Sequence, residues 1–409
     1  MSEPSIETAD SGTAAAEATA AETTDFATAA FETLAVHAAE PRPAHGGSVV
    51  HPIYQGTVFE TVPGQGYDEL QYIRLNTNPS QEHLHRKLAA LEGAETALAT
   101  ASGMAAITTT LLATLAAGDH LIAAGALYGG THHFLTEQAP RLGWDVDFVD
   151  PEDRDSWTEA LRPRTKAFFV ETISNPLTRV ADLVGIADFS REHGLTSIVD
   201  NTFATPVVFR PHTVGFDIVC HSATKALNGH SDLVAGVVTG SAEHLATIRH
   251  VLNLYGGSLD PHAGFLLARG LKTLALRVRQ QGATSLALAR FLEGREDIAQ
   301  VNHPGLESHP DHERAAALFG GYYGSVFSFR PAGGVEAAEA LLKGLRIPYV
   351  APSLGGAESL VTRPAITSHA GMSAEERAAE GIHDDLVRFS TGIEAADDLI
   401  ADFARALGD

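Results

Sequence analysis

The chain contains 409 residues, of which 44% are hydrophobic and 19% charged, and 28 Lys and Arg against 51 Asp and Glu give a net charge of −23. This length exceeds the roughly 250–300 residues at which single cores stop growing, so we expect two domains. The acidic balance argues against nucleic-acid binding, and no apolar stretch reaches the roughly 20 residues that span a bilayer. The single cysteine, Cys220, excludes an internal disulfide framework. We therefore predict a soluble, cytoplasmic protein.

The first 80 residues lack the pattern of an independent core. Residues 1–25 contain six acidic residues, no Lys or Arg and almost no large apolar side chains. Such a segment cannot bury enough surface to offset its ordering entropy, so we predict a disordered acidic tail. Residues 26–80 mix apolar runs with Pro and Gly, which is typical of an extended arm.

Beyond the arm the pattern alternates between helices and short apolar strands. Helices are predicted over Glu82–Leu91 and after Ser102-Gly103-Met104. Apolar runs of strand length follow at His120–Ala124, Val146–Val149, Ala167–Glu171, Thr196–Asp200, Asp217–His221 and Val234–Thr239. Amphipathic segments such as Leu183–His193 separate most of these runs. The pattern predicts an α/β fold, with a mostly parallel sheet between helices.

The remainder of the chain predicts a second, smaller α/β unit. Residues 258–293 are predicted to form one long helix, with Pro261 near its start and Gly294 just past its end. Beyond Gly294 the pattern becomes strand-helix again and partly antiparallel. We therefore divide the chain into a large domain over 81–270 and a C-terminal small domain over 271–409.

Polar residues follow three of the predicted strands at the point where each strand ends. They are Glu171 and Asn175, then Asp200 and Thr202, then Ser222, Thr224 and Lys225. Each residue alone could be a turn or helix cap, but ligands of an open α/β sheet bind outside the carboxyl ends of its strands. Their coincidence at successive strand ends therefore favours one site.

This set of side chains fits pyridoxal phosphate (PLP). The cofactor needs a lysine that holds its aldehyde as a Schiff base and a carboxylate against its pyridine nitrogen. Lys225, one of five lysines in the chain, supplies the amine, and Asp200 supplies the carboxylate. Ser222, Thr224 and the helix N-terminus at Ser102 would bind the phosphate.

Longer motifs occur in a fixed order along the chain. They are Thr33-Leu-Ala-Val-His37, Pro52-Ile-Tyr-Gln55, Tyr72-Ile-Arg74, Leu91-Glu-Gly93, Ala101-Ser-Gly-Met-Ala105, Tyr128-Gly-Gly-Thr131, Glu171-Thr-Ile-Ser-Asn-Pro176, Val199-Asp-Asn-Thr-Phe-Ala-Thr-Pro206, His221-Ser-Ala-Thr-Lys225, Gly229-His-Ser-Asp232, Ser353-Leu-Gly-Gly-Ala-Glu-Ser-Leu360 and Arg388-Phe-Ser-Thr-Gly-Ile-Glu394. Together they resemble the Cys/Met-metabolism (trans-sulfuration) family of PLP enzymes. The resemblance implies fold type I and runs from about residue 33 to 394.

The resemblance also implies roles for individual residues. Lys225 would be the Schiff-base lysine and Asp200 the partner of the pyridine nitrogen, while Tyr128 would stack on the cofactor and act in proton transfer. The remaining cofactor contacts would be Ser102, Gly103, Met104, Asn175, Thr202, Ser222 and Thr224, with Tyr72 and Arg74 reaching in from a neighbouring subunit. Arg388 and Ser353 would bind the substrate's α-carboxylate, for which the fork of an arginine is suited.

The implied reaction is γ-replacement or γ-elimination on an amino acid. Lys225, displaced by the substrate's amino group, would remove the Cα proton, and the γ-substituent would then leave. We predict a cystathionine γ-synthase-like reaction of an activated homoserine with a thiol such as cysteine. The alternatives are an O-acetylhomoserine sulfhydrylase, a C–S lyase of the cystathionine or methionine γ-lyase type, and a catalytically silent, PLP-holding regulatory protein.

Three positions depart from the family's usual motifs. The Tyr72–Pro79 segment is one residue longer than usual, with Ile73 where a small hydroxyl residue is common, and Ala226 replaces a Tyr. Methionine γ-lyases typically carry Cys where this chain has Gly130, so that type is disfavoured. The stretch from His369 to Glu394 looks most like a bacterial cystathionine γ-synthase.

Other signals carry no predicted chemistry. The histidine pairs His132/His133 and His83/His85 have poor spacing for a shared helix face, and His309 and His312 lie near prolines, so we predict no metal. Cys220 is predicted to pack as a small apolar residue. Because Tyr72 and Arg74 would serve a neighbour's site, we predict catalytic dimers paired into a homotetramer.

Overall fold

A computed structural model describes residues 28–42 and 44–409 of the chain. The predicted tail over residues 1–25 lies outside the described residues. Within them, no helix combines the length and the apolar character that a membrane crossing requires.

The arm contains a short helix, α1 (Phe31–His37), and otherwise irregular backbone with short turns, one of which spans Ile73–Leu75. Directly after this turn, within the segment that is longer than usual, Asn76 adopts a left-handed conformation at φ +61°. Asn78 then accepts a hydrogen bond of 2.8 Å from Ser80 N and caps the next helix, in which Pro79 is the first residue.

The larger sheet has seven strands: β1 (Thr96–Thr100), β2 (His120–Ala124), β3 (Asp145–Val149), β4 (Thr165–Glu171), β5 (Thr196–Asp200), β6 (Ile218–His221) and β7 (Gly236–Gly240). Their spatial order is β1-β7-β6-β5-β4-β2-β3. Strands β2 to β6 are parallel, and β7 is antiparallel to both of its neighbours. The predicted α/β fold is confirmed. Strand β1 is not predicted, since its Ala-Leu-Ala sequence has weak strand propensity and the strand depends on pairing with β7.

Helices connect these strands and pack against them. They are α2 (Pro79–Glu92), α3 (Gly103–Thr114), α4 (Gly129–His133), α5 (Arg154–Ala160), α6 (Leu183–His193), α7 (Thr205–Val208), α8 (Ala242–Tyr255), α9 (Pro261–Leu271) and α10 (Leu274–Glu293). Helices α2 and α8 contact β1, α3 contacts β6 and β7, and α6 contacts β4 and β5. The helices predicted after Ser102 and over Leu183–His193 are therefore present.

The prediction of one long helix over 258–293 is wrong, because α9 and α10 are separate. The break falls at Lys272 and Thr273, whose N–H groups bond the carbonyls of Arg269 and Gly270 in tight turns. The Gly270 carbonyl also accepts a hydrogen bond of 2.8 Å from Arg277 Nη2. These bonds of the i to i−3 type close α9, and Arg277 of α10 binds one of its last carbonyls.

A second sheet follows α10. Its strands are β8 (Ile298–Asn302), β9 (Val326–Pro331), β10 (Tyr349–Val350), β11 (Leu360–Thr362) and β12 (Val387–Ser390), in the order β10-β11-β12-β9-β8. Only the β10–β11 pair among these is parallel. The helices of this region are α11 (His312–Phe319), α12 (Gly334–Gly344), α13 (Ala374–Ala379) and α14 (Ala396–Leu407).

Two apolar cores accompany the two sheets, and α10 contributes to both. Leu274 and Val278 belong to the core of the larger sheet, whereas Leu288 and Leu292 belong to that of the smaller sheet. The predicted division of the chain into domains remains a prediction, since one helix runs between the cores.

Candidate active site

A cavity of about 730 Å³ lies at the carboxyl ends of β4, β5 and β6, between the two sheets. It is lined by the predicted residues Ser102, Gly103, Met104, Tyr128, Asn175, Asp200, Thr202, Ser222, Thr224, Lys225, Ser353 and Arg388. Parallel strands bring their carboxyl ends to one edge, which explains why residues far apart in sequence meet here. The structure thus brings together all of the predicted site residues except Tyr72 and Arg74.

Lys225 lies in the turn that follows β6. Its Nζ donates a hydrogen bond of 2.7 Å to Ser353 Oγ. Burial, and secondarily the positive charge of Arg388, lower the pKa of Lys225 to about 8. A lysine in this environment is neutral at mildly alkaline pH, so it can serve as an amine nucleophile or a base.

Arg277 of α10 binds the turn that carries Lys225. Arg277 Nη1 donates a hydrogen bond of 2.7 Å to the Ala226 carbonyl, and Nη2 donates one of 2.8 Å to the Gly270 carbonyl. The guanidinium forms no ion pair among the described residues, and burial lowers its pKa to about 10. Gly229 allows this approach, since a side-chain carbon there would lie 1.7 Å from Arg277 Nη1.

Asp200 ends β5 with its carboxylate at the cavity. Its Oδ1 accepts hydrogen bonds of 2.9 Å from Thr202 N and 2.5 Å from Thr202 Oγ1. Burial raises the pKa of Asp200, and the bonds from Thr202 oppose that rise. Thr202 Oγ1 in turn accepts a bond of 2.8 Å from Ser222 N. The Thr224 hydroxyl is engaged with the Ala235 backbone, at 3.1 Å to its carbonyl and 3.0 Å from its N–H.

The N-terminus of α3 forms another wall of the cavity. Ser102 Oγ accepts a hydrogen bond of 3.0 Å from Ala105 N and so caps the helix. The first N–H groups of a helix have no acceptor inside it, which leaves those of Gly103 and Met104 available to an anion. A side-chain carbon at Gly103 would lie 2.7 Å from Ser222 Cβ, so glycine permits this close approach.

Arg388 of β12 brings a buried positive charge to the cavity. Its Nη1 donates a hydrogen bond of 3.1 Å to Asn175 Oδ1, and its Nη2 donates one of 2.9 Å to the Ser353 carbonyl. Arg388 forms no ion pair within residues 28–42 and 44–409, and burial lowers its pKa to about 10. A buried guanidinium held only by neutral groups is suited to bind an anionic ligand.

Tyr128 lies in the turn after β2. Its ring packs over Gly130, where a side-chain carbon would lie 2.6 Å from Tyr128 Cε1 and 3.1 Å from Met104 Sδ. The Tyr128 N–H donates a hydrogen bond of 2.5 Å to Glu171 Oε1. The ring therefore occupies the space that a cysteine at position 130 would need.

Tyr72 and Arg74 do not line this cavity. Arg74 is exposed, and its Nη1 donates a hydrogen bond of 3.0 Å to the Asn253 carbonyl. Its guanidinium carbon lies 5.7 Å from the centroid of the Tyr72 ring. Their assignment to a neighbouring subunit's site remains a prediction.

Four further polar lining residues have no predicted role: His133, Glu171, Thr367 and Ser368. Ser368 belongs to the segment that reaches over from the smaller sheet, and its carbonyl approaches Gly129, where a side-chain carbon would lie 2.5 Å away. The sequence could have indicated two of these residues through their position beside recognised motifs. Ser368 directly precedes the His369-Ala-Gly-Met372 stretch, and Glu171 begins the Glu-Thr-Ile-Ser-Asn-Pro motif.

The residues set aside by sequence lie away from this chemistry or at its edge. Cys220 is buried in β6, and burial raises the pKa of its thiol to about 12. In the part of the chain that the structure describes, no group of three His, Cys, Asp or Glu side chains is arranged to hold a metal ion.

A lysine, a carboxylate and an open helix N-terminus around one cavity of this sheet define the class of fold-type I PLP enzymes. A model of the family described as Cys/Met metabolism PLP-dependent enzyme matches residues 32–408. The chain belongs to the Cys/Met-metabolism family of PLP-dependent enzymes. The predicted family, fold class, cofactor and enzyme class, that of sulfur amino-acid metabolism, are thereby confirmed.

Relatives include enzymes with different names. The chain is 41% identical over 331 residues to chloroplastic cystathionine γ-synthase 1 of Nicotiana tabacum. The aligned region covers 81% of this chain and 61% of that one. It is 40% identical over 377 residues to cystathionine γ-lyase of Bacillus subtilis. The aligned region covers 92% of this chain and 98% of that one.

A solved structure is also similar. It is a crystal structure of cystathionine γ-synthase from Xanthomonas oryzae pv. oryzae in complex with aminoacrylate and cysteine. The TM-score is 0.89 at 37% identity, and the match covers 92% of this chain and 97% of that one. These relatives are named for both synthase and lyase, so family membership leaves the choice between γ-replacement and γ-elimination to be proposed.

The residues around the cavity fit PLP. Lys225, with its lowered pKa, would hold the aldehyde, and the buried Asp200 carboxylate would face the pyridine nitrogen. The Gly103 turn, which leaves no space for a side chain, brings backbone N–H groups and Ser222 together at the other end, where they would hold the phosphate.

Proposed function

We propose that the protein catalyses γ-replacement on an activated homoserine with a thiol such as cysteine, in the manner of a cystathionine γ-synthase. The observation that carries the choice of an amino-acid substrate is Arg388, a buried guanidinium without an ion-pair partner in the described chain. An α-carboxylate bound there would be anchored between Asn175 and Ser353, whose hydroxyl is 2.7 Å from Lys225 Nζ. The site therefore suits an α-amino acid whose Cα faces the lysine.

PLP, when bound, supplies an electron sink that acidifies the C–H bonds of a substrate amino acid. The protein's own residues supply the rest. Arg388 would orient the substrate through its carboxylate, and Lys225 would accept the Cα proton at Nζ. Because burial and Arg388 lower the pKa of Lys225 to about 8, the neutral amine needed for this step becomes the main form at mildly alkaline pH.

Replacement is favoured over methionine γ-elimination by the Tyr128 turn. Gly130 lets the Tyr128 ring lie against the turn, and a residue with a side chain at that position would displace the ring or Met104. The stretch from His369 to Glu394, which resembles bacterial cystathionine γ-synthases, supports the same choice, as does the name of the similar Xanthomonas oryzae structure.

A second candidate is a lyase that releases a thiol, ammonia and a 2-oxo acid. Its support is the similarity to the Bacillus subtilis cystathionine γ-lyase, of which the chain spans 98%. The two reactions share Lys225, Asp200 and Arg388, so these residues do not discriminate between them.

The deciding experiment is a substrate panel with the purified, PLP-loaded protein. O-acetyl-, O-succinyl- and O-phosphohomoserine, cystathionine and methionine are each supplied with and without cysteine or sulfide, and thioether, thiol and 2-oxo acid are measured. Thioether formation from an activated homoserine plus cysteine supports the proposal, and 2-oxo acid from cystathionine alone supports the lyase. The Lys225→Ala variant is the blank. A protein that shows the spectral change of amino-acid binding but forms no product would be the silent regulatory protein.

We further propose a catalytic dimer, paired into a homotetramer, that works in the cytoplasm. Tyr72 and Arg74 support the dimer, because they lie outside their own chain's cavity and Arg74 is exposed. The variant Arg74→Ala, mixed with Lys225→Ala, should regain activity through hybrid dimers with one intact site. An active monomer in light scattering would contradict this, and cell fractionation tests the location.

A further inference from the structure

Glu171 is a buried carboxyl group at the edge of the site to which the proposed reaction assigns no task. It ends β4, and its register partner on the adjacent parallel strand is Asp200. It forms part of the wall between the active-site cavity and a neighbouring cavity of about 470 Å³. The two carboxyl groups therefore lie side by side at one end of the sheet, in a region withdrawn from water.

The surroundings of Glu171 favour a neutral acid. Among the described residues its carboxyl forms no ion pair, and the charged group that acts on it is Asp200. Two neighbouring buried carboxyl groups do not both ionise readily, and the one without a cation or several donors retains its proton. Asp200 accepts two hydrogen bonds from Thr202, so it is the better candidate for the charge.

Other titratable groups face the same two cavities. They are Tyr128, Asp200, Lys225 and Arg388 on the active-site side, Asp150, Glu152, Arg179, His132, His369 and Glu380 on the other side, and His133 on both. Arg179 is already paired with Asp311 and Glu152. Burial, followed by the charge of Asp200, raises the pKa of Glu171 well above its ordinary value.

Glu171 also makes one short contact that matters to the site. Its Oε1 accepts a hydrogen bond of 2.5 Å from the Tyr128 N–H, directly before the Gly129-Gly130 turn on which the Tyr128 ring rests. We propose that Glu171 is a positioning residue, which holds the Tyr128 turn in place as a neutral carboxylic acid and leaves Asp200 as the single negative charge for the cofactor. Tyr128 itself would make the contacts with the reacting groups.

The test compares Glu171→Gln with Glu171→Ala in the PLP-loaded enzyme. Gln keeps the carbonyl acceptor without a charge, so we expect its kcat to stay within about threefold of the parent. Ala removes the acceptor, and we expect kcat to fall about tenfold or more, together with a changed circular dichroism band of the bound cofactor. The cofactor band reports the Tyr128 position and needs no substrate, so a failure of the proposed reaction would leave this readout intact.

A second measurement addresses the proton directly. Infrared difference spectra of the holoenzyme should show a protonated carboxyl band that disappears in Glu171→Gln and persists in Glu380→Gln, an exposed glutamate of the neighbouring cavity. The proposal is overturned if folded Glu171→Gln is as impaired as Glu171→Ala, or if no such band is lost. Melting temperatures of the variants separate these outcomes from a failure to fold.

Discussion

Lys225 Nζ donates a hydrogen bond of 2.7 Å to Ser353 Oγ, which joins the two halves of the molecule at the site. Lys225 follows β6 of the larger sheet, whereas Ser353 lies between β10 and β11 of the smaller one. Ser353 has a φ of +92°, a conformation that costs a non-glycine residue about 1–3 kcal/mol. The strain is held in place because Arg388 Nη2 binds the Ser353 carbonyl.

For kcat, the Ser353 hydroxyl should therefore matter more than the positive φ of its backbone. We expect Ser353→Ala and Ser353→Gly to lower kcat by a similar factor of about ten, since both lose the bond to Lys225. Gly should melt at a higher temperature than Ala because it tolerates the positive φ. Steady-state kinetics and thermal melts test this, and full activity in Ser353→Gly would show that the backbone conformation, and not the hydroxyl, is what counts.

The pH dependence of kcat should follow the freed amine of Lys225. Only the neutral amine accepts a proton, so kcat should rise with pH about tenfold per unit below a pKa of about 8 and level off above it. Burial is the main cause of this lowered pKa, and the charge of Arg388 is the second. Arg388→Gln should consequently move the rise to higher pH, and a profile that moves to lower pH instead would contradict this assignment.

Arg388 should govern substrate binding through its paired donors. Lys at this position keeps the charge but loses the fork, so we expect Arg388→Lys to raise KM for the amino acid about 10- to 100-fold. A matched control is Arg330→Lys on the neighbouring strand β9, where the guanidinium pairs with Asp385 away from the cavity. Equal effects of the two substitutions on KM would remove the carboxylate-binding role.

The Tyr128 turn should not tolerate a side chain at position 130. An added carbon would lie 2.6 Å from Tyr128 Cε1, so we expect Gly130→Ala to displace the ring and to lower kcat/KM about tenfold or more. At Gly125 the nearest atom would be 3.6 Å away, the Val149 carbonyl oxygen, which makes Gly125→Ala a suitable control. The measurements are steady-state kinetics and the circular dichroism of the bound cofactor. Unchanged values for Gly130→Ala would show that the Tyr128 ring can accept a side-chain carbon at position 130.

Arg277 should stabilise the lysine turn. Arg277→Leu leaves the buried carbonyls of Ala226 and Gly270 without this donor, and we expect it to lower the free energy of unfolding by at least about 2 kcal/mol. It should also speed the loss of PLP. Arg279→Leu, two residues along α10, removes a half-exposed guanidinium paired with Glu32 and should cost less. A larger effect from Arg279 in chemical denaturation would reverse this ranking.

Much of the site follows from local pattern. Apolar runs that end in Asp200 and before Lys225 place those residues at a sheet edge, because parallel strands share one direction. The Ser353 geometry and the approach of Glu171 to Tyr128 depend on contacts between distant segments, for which a single sequence carries no periodic signal. Strand β1 escapes prediction for the same reason, since it exists through its pairing with β7.

The shared helix α10 gives the molecule a mechanical linkage. Its first turns are anchored in one core through Leu274, and its last turns in the other through Leu292. An α-helix rises about 1.5 Å per residue and bends little. A rotation of the smaller sheet would therefore displace Arg277 and the Lys225 turn, which Arg277 binds. Because neither core is complete without this helix, the two halves should unfold as one cooperative unit, and a cut within α10 should disable both.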